Sequence, residues 1–119
     1  MSLKITNTHN DSTSSKEFIE LEVTEDISLK NYAIVDQTFD QKKISNTFRH
    51  IYEFPNTNVS KGDKIMLFSG KGKNVFVEKG DHKTFTLYWN SDECIWNNTG
   101  DIAILISYKD IGRETVASI

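Results

Sequence analysis

Short period-two segments recur along this chain, each bounded by turn residues, and that rhythm restricts it to an all-β fold. The clearest is Glu17-Phe18-Ile19-Glu20-Leu21-Glu22-Val23. In an extended strand Ile19, Leu21 and Val23 fall on one face, and Glu20 and Glu22 fall on the other. Val, Ile, Thr, Tyr, Phe and Trp fill the periodic segments, and polar turn residues fill the gaps. No long run of Ala, Leu, Glu and Lys stands at helical spacing, and no capped amphipathic stretch interrupts the pattern.

The pattern predicts strands over Leu3–Thr8, Glu17–Val23, Tyr32–Asp36, Arg49–Pro55, Lys64–Phe68, Thr84–Trp89, Ile102–Tyr108 and Glu114–Ile119. Leu29, Tyr32 and Ile34 are expected in the core. Asn10–Ser15 reads as a flexible loop, Gln37–Asn46 as a polar surface excursion and Gly70–Gly80 as a glycine- and lysine-rich loop. Val59–Asp63 reads as a turn and Lys109–Gly112 as a hairpin turn. Pro55 is the only proline; lacking an N–H, it belongs at a strand end or an edge. Ile102–Ile106 is apolar on both faces, which predicts a central strand covered by the opposite sheet and by a loop or a partner. About seven to eight short antiparallel strands imply an immunoglobulin-like β-sandwich, without the Cys…Trp…Cys spacing of antibody domains.

The chain has 119 residues, the length of one domain. A chain of that size hides roughly two-thirds of its unfolded surface, enough for a real core. Residues 1–119 are therefore expected to form one domain, with 1–16 as a first strand or a flexible lead. Cys94 is the only cysteine, so no disulfide framework exists within the chain. The net charge is −3, too small to mark an acidic tail. Its distribution is uneven: residues 42–83 carry 9 basic and 4 acidic side chains, whereas 1–41 carry 3 and 8, and 84–119 carry 2 and 5. Such asymmetry makes either a basic face or an ordinary solvated surface. No apolar run reaches the roughly 18 residues of a membrane-spanning helix, so no membrane insertion is expected. Met1-Ser2-Leu3 leads into no apolar leader. It reads either as a natural start or as a start placed on a domain excised from a longer protein, extracytoplasmic if that parent is secreted.

Catalytic chemistry has little to work with. His9, His50 and His82 are far apart, and Cys94 has no neighbouring base. Zinc ligand spacing is absent, and Asp36, Asp40, Asp81, Asp92 and Asp101 do not form a calcium-loop pattern. No catalytic residue, metal or cofactor is therefore expected. Gly70-Lys71-Gly72-Lys73-Asn74 reads as a mobile loop in preference to an anion cradle, because the Lys-Ser/Thr ending of a P-loop is missing. Phe85, Leu87 and Trp89 share one face and Tyr88 takes the other. Core packing is the default for these rings, with stacking on a base or sugar beside Lys79 and Lys83 as the alternative.

Trp96-Asn97-Asn98-Thr99-Gly100-Asp101 runs straight into Ile102-Ala103-Ile104-Leu105-Ile106. Gly100 suits a turn position with positive φ, the Asn and Asp side chains stabilise tight loops, and Trp96 is a plate that seals one end of a core. This motif, together with Glu17-Phe18-Ile19-Glu20-Leu21, Tyr32-Ala33-Ile34-Val35-Asp36, Tyr52-Glu53-Phe54-Pro55, the turn at Lys61-Gly62 and Leu67-Phe68-Ser69-Gly70-Lys71-Gly72, resembles the lamin-tail domain family in its bacterial and archaeal form. The order of the pieces along one chain, from Glu17 onward, is the specific part. Tyr32 stands where a Trp is common, Lys61-Gly62 stands for the usual Pro-Gly, and Gln37–Asn46 is longer than usual. The resemblance implies an immunoglobulin-like module without catalysis that works as a tether, an interaction domain or a structural tail. It also implies that Glu17, Phe18, Glu20, Leu21, Tyr32, Phe54, Pro55, Gly62, Trp96, Asn97, Asn98, Gly100 and Asp101 are mainly structural.

Two expectations follow. The first is a protein partner, including self-association through edge or face pairing of Ile102–Ile106. The second is nucleic-acid or polyanion binding through the basic middle third, with Lys61, Lys64, Lys71, Lys73, Lys79, Lys83 and Trp89 as the binding residues and Lys42, Lys43 and Arg49 in support.

Overall fold

A computed structural model describes residues 1–40, 43–96, 101–109 and 112–117; over 37–40 and 43–49 it describes the strand path alone. The described residues hold ten strands and no helix: β1 (Leu3–His9), β2 (Phe18–Val23), β3 (Ile27–Ser28), β4 (Tyr32–Asp40), β5 (Lys43–Glu53), β6 (Asn58–Val59), β7 (Lys64–Phe68), β8 (Val75–Lys79), β9 (His82–Tyr88) and β10 (Ile102–Ser107). Eight of them are five residues or longer. One sheet has the order β1-β2-β7-β9-β8, the second β10-β4-β5, and β3 pairs with β6 alone.

Alternation places the core. Along β2, Ile19, Leu21 and Val23 are buried while Phe18, Glu20 and Glu22 are half-buried on the outer face. Ile65 and Leu67 of β7 and Phe85 and Leu87 of β9 continue that inner layer. Ile34 of β4, with Tyr52 of β5 and Ala103 and Leu105 of β10, packs onto it from the second sheet. Leu29, Phe54, Val59, Ile95 and Trp96 close the layer from the connections. Two sheets face to face over one apolar layer make the predicted sandwich. No helix of the described residues is long and apolar enough to cross a membrane.

Several expectations change. Ile102–Ile106 is not a central strand: among the described residues β10 pairs with β4 alone, lies at the margin of its sheet, and has Ile102 to Ile106 only half-buried. The central strand there is β4, with Ala33 and Val35 buried as well as Ile34. Gly70–Gly80 is not all loop, since Val75–Lys79 pairs with β9 through the two-residue turn Gly80-Asp81. Gly80 has φ +67°, which suits the first central position of a tight hairpin turn. The described part of Gln37–Asn46 is strand, because the β4–β5 ladder runs out to Asp40↔Lys43 past two register shifts; 41 and 42 lie outside the described residues. Residues 112–117 form no strand, so the described part of Glu114–Ile119 departs from expectation; 118 and 119 lie outside the described residues, as do 110 and 111 of the predicted hairpin turn. Finally, one pairing is parallel: β7 runs beside β9 with Lys64↔Thr84 and Phe68↔Tyr88.

Candidate functional site

The end of the larger sheet at which β7 finishes is organised by a buried carboxylate. Glu17 is wholly buried. Its Oε1 accepts from Ser69 Oγ at 2.5 Å, from the Ile95 N–H at 2.8 Å and from the Trp96 N–H at 3.2 Å. Among the described residues, Oε2 has no hydrogen-bond partner. Ser69 N–H also donates to the Glu17 carbonyl. One side chain thus ties the start of β2 to the end of β7 and to the segment before β10, and holds Trp96 as the lid of the core. The Cys94 thiol lies beside this carboxylate and donates to the Asp11 carbonyl at 3.3 Å. Burial first, then the charges of Glu17 and Asp11, push its pKa up, so it stays a thiol and a weak nucleophile.

Two aromatic groups flank this knot. On the outer face, His9, Phe18, Phe68 and Tyr88 are direct cross-strand partners over four neighbouring strands, with centroid spacings of 5.1, 5.3 and 5.7 Å. The first and last pairs are stacked, so ring faces are used against one another. Inside, Trp89 meets Trp96 edge-on at 6.0 Å, Tyr52 at 5.6 Å and His50 at 6.5 Å. Burial pushes the Tyr52 phenol up to about 12. His50 is held by buried Asp36: Oδ1 accepts from the His50 N–H at 2.6 Å, and Oδ2 lies 3.1 Å from Nδ1. A carboxylate only accepts, so Nδ1 carries the proton. This Asp–His pair orients an imidazole, but among the described residues no hydroxyl or thiol bonds to His50. Nor do any three His, Cys, Asp or Glu side chains among them gather as metal ligands.

The lysines named from sequence separate into two groups. Lys61, Lys64, Lys79 and Lys83 sit at the end where β7 and β9 begin and β8 ends. Asp63 organises that end, accepting from the Ser60 and Lys83 N–H groups at 2.9 Å each. Gly62, at φ +93°, brings the turn against the His82 ring. Lys71 and Lys73 lie at the opposite end, in the loop after β7, where Lys71 pairs with Asp92 at 2.5 Å. Trp89 is also at that end, packed among rings and half-buried. The fold therefore does not bring Trp89 together with Lys79 and Lys83. Of the other motif residues, Leu21 and Phe54 are core, Tyr32 packs against the core, Glu20 bonds Thr6, Pro55 lines a groove and Asp101 is half-buried. Asn97, Asn98 and Gly100 lie outside the described residues.

Sequence reading missed an exposed apolar strand. β8 is an edge strand, and Val75, Phe76 and Val77 are 51%, 59% and 57% exposed. Beside it lies a groove of about 280 Å³, floored by Phe85 and Leu87 and walled by Val75, Phe76, Pro55 and Thr57. Lys83 Nζ stands 5.4 Å over the Phe76 ring and 3.6 Å from Glu78. The signal was present in Val75-Phe76-Val77, but the glycines and lysines before it masked a five-residue strand.

A search of curated proteins finds no match to the chain. The family model of the Lamin Tail Domain matches residues 1–119, its whole length, in keeping with the all-β sandwich. The chain belongs to the lamin tail domain family, whose members are immunoglobulin-like domains.

Proposed function

We propose that this domain is a non-catalytic protein-interaction module, serving to tether or to build structure, and that it works through strand β8. The observation that carries the reading is an edge strand with three consecutive apolar residues more than half exposed next to an apolar groove. Edge strands present unpaired main-chain groups, and soluble domains normally blunt them with charge, bulges or cover. An apolar, unbulged edge is a surface made for a protein partner. The test places a photo-crosslinking amino acid at Phe76 and, as a control, at exposed Lys4. A cross-link to protein at position 76 above that at position 4 supports the module. Equal yields at both positions overturn it.

A second reading has one observation in its favour: Lys61, Lys64, Lys79 and Lys83 share one end of the larger sheet. That end suits a polyanion such as duplex nucleic acid. Glu22, Glu78 and Asp81 stand among those lysines and dilute the field. Binding to duplex DNA at low salt that fades as salt rises supports it, and no binding at low salt removes it.

A further inference from the structure

The hydrogen-bond parity of β8 points to its occupant. The turn Gly80-Asp81 makes Lys79 and His82 a hydrogen-bonded pair, and alternation then turns the main-chain groups of Val77 and Val75 toward β9 as well. Phe76 and Glu78 are left with N–H and C=O directed away from the sheet. The five residues pair with β9 without a register shift, so this edge is regular. The other edge of the same sheet, β1, is interrupted by a register shift between Ile5 and Asn7. Such a bulge discourages pairing, and β8 has none.

We propose that β8 pairs with β8 of a second copy of this chain, antiparallel about a two-fold axis through Val77, so that two five-stranded sheets become one. This deepens the interaction-module reading and rests on it. The two-fold sets Val77 against the partner's Val77 as a non-hydrogen-bonded pair, apolar on apolar. It sets Phe76 against the partner's Glu78, and each exchanges both outward main-chain bonds with the other. The charges agree with this register. Glu78 comes to lie beside the partner's Phe76, whose ring already carries the Lys83 ammonium. Val75 comes opposite the partner's Lys79, since the two positions are equally far from Val77 along the strand. A two-fold through Phe76 pairs only three of the five strand residues, and one through Glu78 also pairs only three and sets two carboxylates face to face. Val77 is the axis position that pairs all five residues of the strand with no like charges opposed. The contact is isologous and closes at two copies. It spans one short strand, so the dimer is weak and concentration-dependent.

Sedimentation velocity over a wide concentration range reads the assembly. The wild type is expected to move from monomer toward dimer. Val77→Lys places two ammonium groups across the axis on a residue that is exposed in the monomer, and is expected to raise the apparent Kd by at least about tenfold. Register is read by Val77→Cys in a Cys94→Ser background. Non-hydrogen-bonded pairs hold Cα atoms about 4.5 Å apart, within disulfide reach. Val77→Cys is expected to cross-link under mild oxidation much faster than Glu78→Cys in the same background. A wild type that stays monomeric throughout overturns the proposal. So does dimerisation that Val77→Lys leaves unchanged, or cross-linking at 78 as fast as at 77. If position 76 cross-links to another protein while the purified chain stays monomeric, the dimer falls and the module stands. If position 76 captures nothing above its control, the module falls too.

Discussion

Removing the Glu17 carboxylate should unravel the end of the sandwich that holds Trp96. In Glu17→Ala, Ser69 Oγ–H and the Ile95 and Trp96 N–H groups lose their shared acceptor, and all three donors are buried with it. Each buried donor left unpaired costs about 1–3 kcal/mol. The 3.2 Å bond to Trp96 is the weakest, and Ser69 can rotate its proton, so the sum is taken near the low end, about 4 kcal/mol. That is a large share of the roughly 5–15 kcal/mol that holds a domain together. With a urea slope near 2 kcal/mol per molar, the midpoint should fall by about 2 M. Glu17→Gln keeps a carbonyl oxygen for the same donors and places its amide where Oε2 now stands unpaired, so it should cost only about 1–2 kcal/mol. Equilibrium urea unfolding followed by tryptophan fluorescence reads both, since Trp96 is the residue released. If Glu17→Ala lost less than about 1 kcal/mol, the three bonds would not be holding this end, and the reasoning would be wrong.

Tyr52 makes folding sensitive to alkali. Its phenol is held near 12 against about 10 in the unfolded chain, so its contribution is whole below pH 10 and is lost as pH rises toward 12. Allowing for partial exposure, the loss is about 2 kcal/mol; Tyr52→Phe should flatten that part of the stability–pH profile. Gly62→Ala forces a Cβ to 2.6 Å from the His82 ring at φ +93°, and should cost about 1–3 kcal/mol by urea unfolding. Glu17→Gln removes a negative charge beside Cys94, so the thiol pKa should fall and alkylation at pH 8 should speed up while the domain is still folded; an unchanged rate counts against the assigned cause.

Strand β2 was legible because its two faces meet different surroundings, so chemistry alternates with geometry. The same held for β7 and β9, whose inner residues Ile65, Leu67, Phe85 and Leu87 are core. β8 was not legible because both of its faces are exposed and the residues before it carry turn chemistry. In β10 the apolar content was read correctly and its meaning was not. Period and hydropathy report how greasy a strand is, whereas the number of its neighbours is decided by chain segments far away in sequence. The role of Glu17 was hidden for the same reason: its donors lie 52, 78 and 79 residues downstream. β3 and β6, two residues each, are too short to show any period.

The side-by-side course of β7 and β9 bears on how the chain assembles. A strand cannot run beside its predecessor in the same direction without a return leg, and here β8 is that leg, lying outside the strand it precedes. The hairpin of β8 and β9 closes through two residues and forms locally, on the microsecond scale of such hairpins. Its inner member must then dock against β7, twenty positions back in sequence, with Lys64 meeting Thr84. Until it docks, β7 is itself a bare margin, and the apolar triplet of β8 is carried in on a ready-made ribbon. The tight turn at Gly80 is therefore the place where a lesion should slow maturation more than it lowers final stability.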